Sequence, residues 1–286
     1  MSGINYGYTN VNKCNQKWRN CYAMSYSAPS SEFLLDYRRT LFSRRSFQTW
    51  IGLIPSSPLA LRMLIGLLVI DLLFIGVFVF YGLQQVISDN PAKFPQMWSL
   101  AADYSIPEFF GYAKLALVAA FLFVTFKRTG QLIWWSWATV FVLLLADDML
   151  QLHEYGGEWV ATFLPFHSIG GIEAHHIGEL SIYAMLGTAG LALLIFGVQR
   201  TAANIVAGSG FFLIVILGLV ACGVGIDLVS SASYFQDTDA GTTVSKALYG
   251  VLIIAEDGGE SIFMTLGCAG AYAVWLNKGT QSQSAE

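Results

Sequence analysis

The chain is dominated by apolar runs long enough to cross a lipid bilayer. Six of them fall near residues 63–87, 107–127, 131–155, 173–198, 204–230 and 246–276. A hydrocarbon core of roughly 30 Å demands about 20 residues of helix per crossing. Within lipid, every backbone N–H and C=O must be paired inside its own helix or inside a closed barrel. The expected fold is therefore all-α: a polytopic integral membrane protein built as a bundle of six transmembrane helices. The charged fraction agrees, since 12% of residues are charged where a soluble domain carries about 25%.

The runs divide the chain into a polar and basic N-terminal extension (1–61), a transmembrane domain (62–277) and a short tail (278–286). Residues 1–30 lack the apolar core of a secretory signal. Residues 31–61 interleave Arg38, Arg39, Arg44 and Arg45 with Phe33, Leu41, Phe42, Phe47 and Trp50. That pattern fits either an interfacial helix on an anionic leaflet or a basic tether that sets topology. Asn90-Pro91, the glycine pairs at 156–157 and 170–171, and Asp237-x-Asp239 mark connections. Cys14 and Cys21 are a weak redox or metal pair, whereas Cys222 and Cys268 sit in apolar runs as packing residues.

With the N-terminus in the cytoplasm, cytoplasmic segments hold Lys13, Lys17, Arg19, Arg38, Arg39, Arg44, Arg45, Arg62, Lys127, Arg128, Arg200 and Lys278, which is 12 of the 15 basic residues. The positive-inside rule then predicts both termini cytoplasmic, in the plasma (cytoplasmic) membrane. Trp134, Trp135 and Trp137 are expected to form an aromatic belt at the inner interface. No basic fold or motif supports nucleic-acid binding.

Ionisable residues at membrane depth are costly and mark function. Here they collect in three helices. Leu143 to Trp159 carries Asp147, Asp148, Gln151, His153 and Glu154; the fourth run carries Glu173, His175, His176 and Glu179; the sixth carries Glu256, Asp257 and Glu260. With the predicted topology all three clusters lie in the middle and outer half of the bundle, facing the extracytoplasmic side. On an ideal helix Asp147, Asp148, Gln151 and Glu154 form one stripe about 120° wide, while His153 falls about 120° away from Asp147. Either the helix unwinds near Gly156 and brings His153 back, or His176 is the nitrogen ligand; the second is preferred. Asp71, alone in the first run, is expected to pair locally. Gly218, Cys222 and Gly225 are read as small residues for close helix packing.

Adding Asp227 gives nine carboxylates with few cations nearby. Such a group needs protons, water or a bound cation to coexist in a partly dry site. Carboxylate with imidazole suits Fe, Mn or Zn, so a divalent metal is expected. The expected ligands are Asp148, His153, Glu173, His176, Glu179, Glu256, Asp257 and Glu260, with Asp147, Asp148 and Glu256 as catalytic acids and bases. Glu173-x-x-His176 has the spacing by which a di-iron bundle helix supplies two ligands, although the second copy such bundles carry is missing. The residue mixture is similar to that of zinc membrane hydrolases of the alkaline ceramidase kind, with two departures: six runs in place of seven, and no paired HxxxH in the last.

The expected function is a metal-dependent membrane enzyme, hydrolase or oxidoreductase, acting on a lipid or quinone-like molecule in contact with membrane lipid. The alternatives are a proton- or cation-coupled transporter or channel, and a structural subunit of a membrane complex.

Overall fold

The helices follow from capping and composition more than from amphipathicity, because lipid rather than water surrounds them. In a computed structural model that describes residues 52–87, 95–169, 172–230 and 243–283, the order is α1 (Pro58–Ile87), a 3-10 turn (Gln96–Trp98), α2 (Ile106–Thr129), α3 (Leu132–Leu150), α4 (Leu152–Ala161), β1 (Ser168–Ile169), β2 (Ile172–Glu173), α5 (Ala174–Gln199), α6 (Ala203–Ser209), α7 (Phe211–Leu219), a π-helical segment (Val220–Ile226), α8 (Asp227–Ser230), α9 (Thr243–Ile253), a second π-helical segment (Ile254–Gly258) and α10 (Gly259–Gln283). All described residues belong to one compact unit, Thr40–Glu286. The N-terminal basic segment through Ile51, with Cys14 and Cys21, lies outside the described residues. So do the Asn90-Pro91, Gly170-Gly171 and Asp237–Gly241 connections and the side chain of Lys246.

The chain is an all-α membrane protein; its only described sheet is the two-residue antiparallel hairpin pairing Ser168 with Glu173. Five helices are long and apolar enough to cross a membrane: Pro58–Gln84, Ile106–Thr129, Leu132–Leu150, Ala174–Gln199 and Ile205–Ser230. The run from α9 to α10, expected as the sixth crossing, does not meet that standard among the described residues. α10 is the most enclosed helix, its Cys268, Ala269, Ala271 and Ala273 wholly buried against α1, α2 and α7. A helix walled in by neighbours has no need of lipid-soluble side chains. Small residues there let backbones approach closely: a side chain added at Gly270 would collide with Phe211.

Helix ends obey local rules. Ser105 caps α2 by accepting from the Glu108 N–H at 3.3 Å, with Pro107 in the first turn. The helix ends on Gly130 at φ 68°, with Lys127 and Arg128 complementing its negative end. α3 stops at Leu150, five residues short of the expected 155.

Lipid-facing surface is concentrated on α1, where Leu59, Ile65, Val69, Leu72, Leu73 and Phe80 are exposed. The core fills the opposite side with Leu115, Val118 and Leu122 of α2, Trp134, Trp137 and Phe141 of α3, Phe212 and Val215 of α7, and Cys268 and Val274 of α10. Trp134 and Trp137 are therefore not an interfacial belt. Their rings pack on Phe212 with centroids 6.4 and 5.8 Å away, because α3 turns that face inward against α7.

One ion pair crosses the bundle inside this core. Lys114 of α2 and Asp71 of α1 are each 1% exposed. Lys114 Nζ donates to Asp71 Oδ1 at 2.9 Å, to Ser261 Oγ at 2.7 Å, to the Ser261 carbonyl at 2.8 Å and to Thr265 Oγ1 at 3.3 Å. Ser261 and Thr265 of α10 donate to the two Asp71 oxygens at 2.8 and 2.6 Å. Removing one partner of a buried pair leaves an uncompensated charge. Lys114→Met is expected to destabilise by about 3–5 kcal/mol, with Asp71→Leu added to it restoring most of the loss. Thermal unfolding in detergent reads both variants.

Candidate functional site

Above Ser261 the core opens into a polar cavity of about 410 Å³. Its walls come from the segment before α2, from α2, from the α3–α4 break, from α5, and from both π-helical segments with the residues that follow them. Asp148, His153, His176, Glu179, Glu256, Asp257 and Glu260 all line it, joined by Asp103, Glu108, Glu154 and Asp227. Three tyrosines, Tyr112, Tyr183 and Tyr249, share the wall, and among the described residues no lysine or arginine does. Two expected residues stand elsewhere. Asp147 is buried behind His153, and Glu173 reaches outward to His175 Nδ1 at 3.3 Å.

The position of His153 depends on a break in the helix. Gln151 adopts φ 50°, ψ 43°, ending α3 and starting α4. Left-handed backbone is uncommon outside glycine, and among the described non-glycine residues only Tyr104, at φ 56°, shares it. The two are linked: the Tyr104 hydroxyl donates to Gln151 Oε1 at 3.3 Å. Asp147 supplies a side-chain acceptor for the restarted helix, Oδ1 taking the His153 N–H at 3.0 Å. The break comes at Gln151 rather than near Gly156, and it swings His153 into the cavity. The nitrogen donors therefore include both His153 and His176.

Each imidazole is backed by a carboxylate. His176 Nδ1 lies 3.0 Å from Glu179 Oε2. With Nδ1–H donating there, Nε2 carries the lone pair, and that atom is buried without a partner. His153 Nδ1 lies 3.3 Å from Asp147 Oδ2, within ion-pair range but outside hydrogen-bonding geometry, and its ring stacks on Tyr183 at 4.8 Å. Burial opposes protonation of His153, yet the Asp147 carboxylate, helped by Glu154 and Asp148, outweighs it and lifts the imidazole above its ordinary range. Burial likewise raises Glu154, with Asp103 adding to it.

The Glu173-x-x-His176 pairing does not form, because Glu173 precedes α5 in extended backbone and turns to His175. The pair that forms is His176 with Glu179, one turn on. One donor atom from each of His175, His176 and Glu179 lies within 4.8 Å of the others. Tetrahedral ligands about 2.0–2.2 Å from an ion stand roughly 3.3–3.6 Å apart, so these side chains would have to draw in by up to about an ångström to share one. The donor types suit a first-row divalent ion, and the buried imidazole nitrogen of His176 has no hydrogen-bond partner.

Glycines let the carboxylates approach. A side chain at Gly223 in the first π-helical segment would collide with Glu260 Oε1, and one at Gly259 would lie 2.6 Å from Cys222 Sγ. Single π-turns inside helices recur at functional sites, and here the second carries Glu256 and Asp257. Of the small residues expected to serve packing, Gly218 meets Phe263 and Cys222 meets Gly259. Gly225 has only its own helix within 4 Å.

Glu108 and Tyr112 are cavity residues that lie outside the three clusters expected from the sequence. The Tyr112 hydroxyl donates to Glu108 Oε1, and Glu108 Oε2 is buried without a partner beside the cavity. Its signal in the sequence is a capping arrangement, Ser105 three residues before an acid, which reads equally well as a helix start.

The histidine face is clamped by a backbone contact between α4 and α5. A side chain at Gly178 would overlap the Gly157 carbonyl, and one at Gly157 would lie 2.6 Å from Glu179 Cγ. Gly178→Ala is expected to cost about 1–3 kcal/mol through overpacking and to separate His176 and Glu179 from His153. Thermal unfolding together with metal retention checks this.

The family model described as "Domain of unknown function (DUF8692)" matches residues 64–275. No curated protein and no solved structure matches the chain. The chain belongs to the DUF8692 family.

Proposed function

We propose that this DUF8692 member is a metal-dependent membrane enzyme whose reaction takes place in the carboxylate–histidine cavity, on a lipid or quinone-like amphiphile. One observation carries the reading: His176, held by Glu179 at one ring nitrogen, presents the other, buried and unpartnered, in a cavity lined by acids. Carboxylate–imidazole pairs of this kind orient metal ligands. The protein's groups for such a site are His175, His176 and Glu179, with His153 backed by Asp147 as a further donor. A bound divalent metal would supply Lewis-acid activation of water or, if redox-active, electron transfer.

The remaining walls have their own tasks. Asp148, Glu256, Asp257 and Glu260 offer carboxylate oxygens that accept or hold a proton beside the reacting group. Tyr183 holds the His153 ring by stacking, and the Tyr104–Gln151 contact closes the rim. Below Ser261 and Met264 the described residues are packed core and the buried Lys114–Asp71 pair, which weighs against a conduit. The lysine and arginine distribution supports six crossings, with the α9–α10 run as the sixth, both termini cytoplasmic and the cavity on the extracytoplasmic side.

Protein purified in mild detergent is expected to carry about one equivalent of zinc, iron or manganese per chain and to release it on acidification, since ligating imidazoles must be neutral. His176→Ala and Glu179→Gln are expected to lose at least tenfold in metal affinity. A native preparation that neither contains nor takes up these metals contradicts the proposal. Cation flux in liposomes, abolished by Glu260→Gln, would favour transport instead.

A further inference from the structure

The outer face of α4 is a clean apolar surface with no described partner. Leu152, Tyr155 and Trp159 fall within about 60° of one another on this helix. Phe163 follows just beyond it, its ring 4.9 Å from that of Trp159. Tyr155, Trp159 and Phe163 are 63, 65 and 68% exposed. The opposite face of the same helix carries His153, Glu154 and Gly157, turned to the cavity and to α5. Next to the cavity-lining residues Leu100 to Asp103, Met97, Trp98, Tyr104 and Phe109 are exposed as well, and the Tyr104 hydroxyl reaches Gln151 at the start of α4. The exposed rings of these two segments form an aromatic collar beside the cavity.

Two features identify what covers the collar. Tryptophan and tyrosine prefer the head-group level of a bilayer, where the ring is dry and its polar atom wet, and α4 lies alongside the first turns of the span α5, with His153 on Tyr183 and Gly157 against Gly178. The surface is also continuous with a span. Met149 and Leu150, the exposed last residues of α3, run directly into Leu152, so α4 departs at the depth where a crossing ends. A cluster of this size left in water would be costly.

We propose that the collar is seated at the head-group boundary of the membrane crossed by the spans, which sets the cavity mouth at that depth. A ligand then enters the cavity from the lipid layer. The seating stands independently of the metal, whereas the entry route rests on the cavity's being a ligand site.

The test uses full-length protein in phosphatidylcholine nanodiscs, with Cys14→Ser and Cys21→Ser, and with Cys222 and Cys268 left in place because they are buried. Nitroxide labels are attached at Tyr155→Cys, Trp159→Cys or Phe163→Cys, and at Glu158→Cys on the flank of the helix as control. The expected result is collision with oxygen favoured several-fold over a water-soluble nickel chelate at the three collar positions relative to Glu158. Equal access of the chelate at all four positions overturns the proposal. So does spectral broadening at the collar that disappears on dilution with unlabelled protein, which would assign the face to a second copy. Three collar positions keep the test valid if one variant fails to fold. Metal content of the labelled variants is expected to be unchanged, so failure of this surface is separable from failure of the metal site.

Discussion

The bundle depends on one buried ion pair at the floor of its cavity. Lys114 binds Asp71 together with Ser261 and Thr265, so a single ammonium joins three helices: α1, α2 and α10. In hydrocarbon none of these groups has water to fall back on, so the network has to be complete or absent. Its consequence lies above it. Among the described residues the positive charge beside the acidic cavity, Lys114, is already committed, and the acids above must be balanced by protons, water or a cation.

The second constraint is the break at Gln151. A continuous helix would carry His153 away from Asp147 and Asp148. By stopping α3 at Leu150 and restarting at Leu152, the chain uses Asp147 as an internal cap and directs His153 inward. Asp147 therefore acts through His153 in this arrangement and does not line the cavity, while Asp148, its neighbour, does. Strained backbone at Gln151 and Tyr104 persists because each holds the other, the pattern expected where local strain serves a site.

Much of this architecture was legible in the residues because lipid imposes simple rules. Helix lengths followed from bilayer thickness, and intramembrane acids announced the cavity because burial makes them expensive. What stayed hidden were long-range and local exceptions. Asp71 was expected to pair locally, but its partner is 43 residues on, which no spacing rule predicts. Trp134 and Trp137 looked interfacial because tryptophan usually is; the inward face of α3 overrode that preference. Gln151 gave no warning, since left-handed backbone at a non-glycine residue has no compositional mark. The α9–α10 run, expected as a sixth crossing, is interrupted by the cavity acids Glu256, Asp257 and Glu260 and falls short of the apolar standard the other five meet.

The proposed hold on a divalent metal, imidazole nitrogen with carboxylate support, has a spectroscopic signature in X-ray absorption at the metal edge of the purified protein. The expected spectrum has a mixed nitrogen and oxygen first shell at about 2.0–2.2 Å, with outer-shell scattering characteristic of imidazole that weakens in His176→Ala. A metal edge with an all-oxygen shell, unchanged by that substitution, would contradict it.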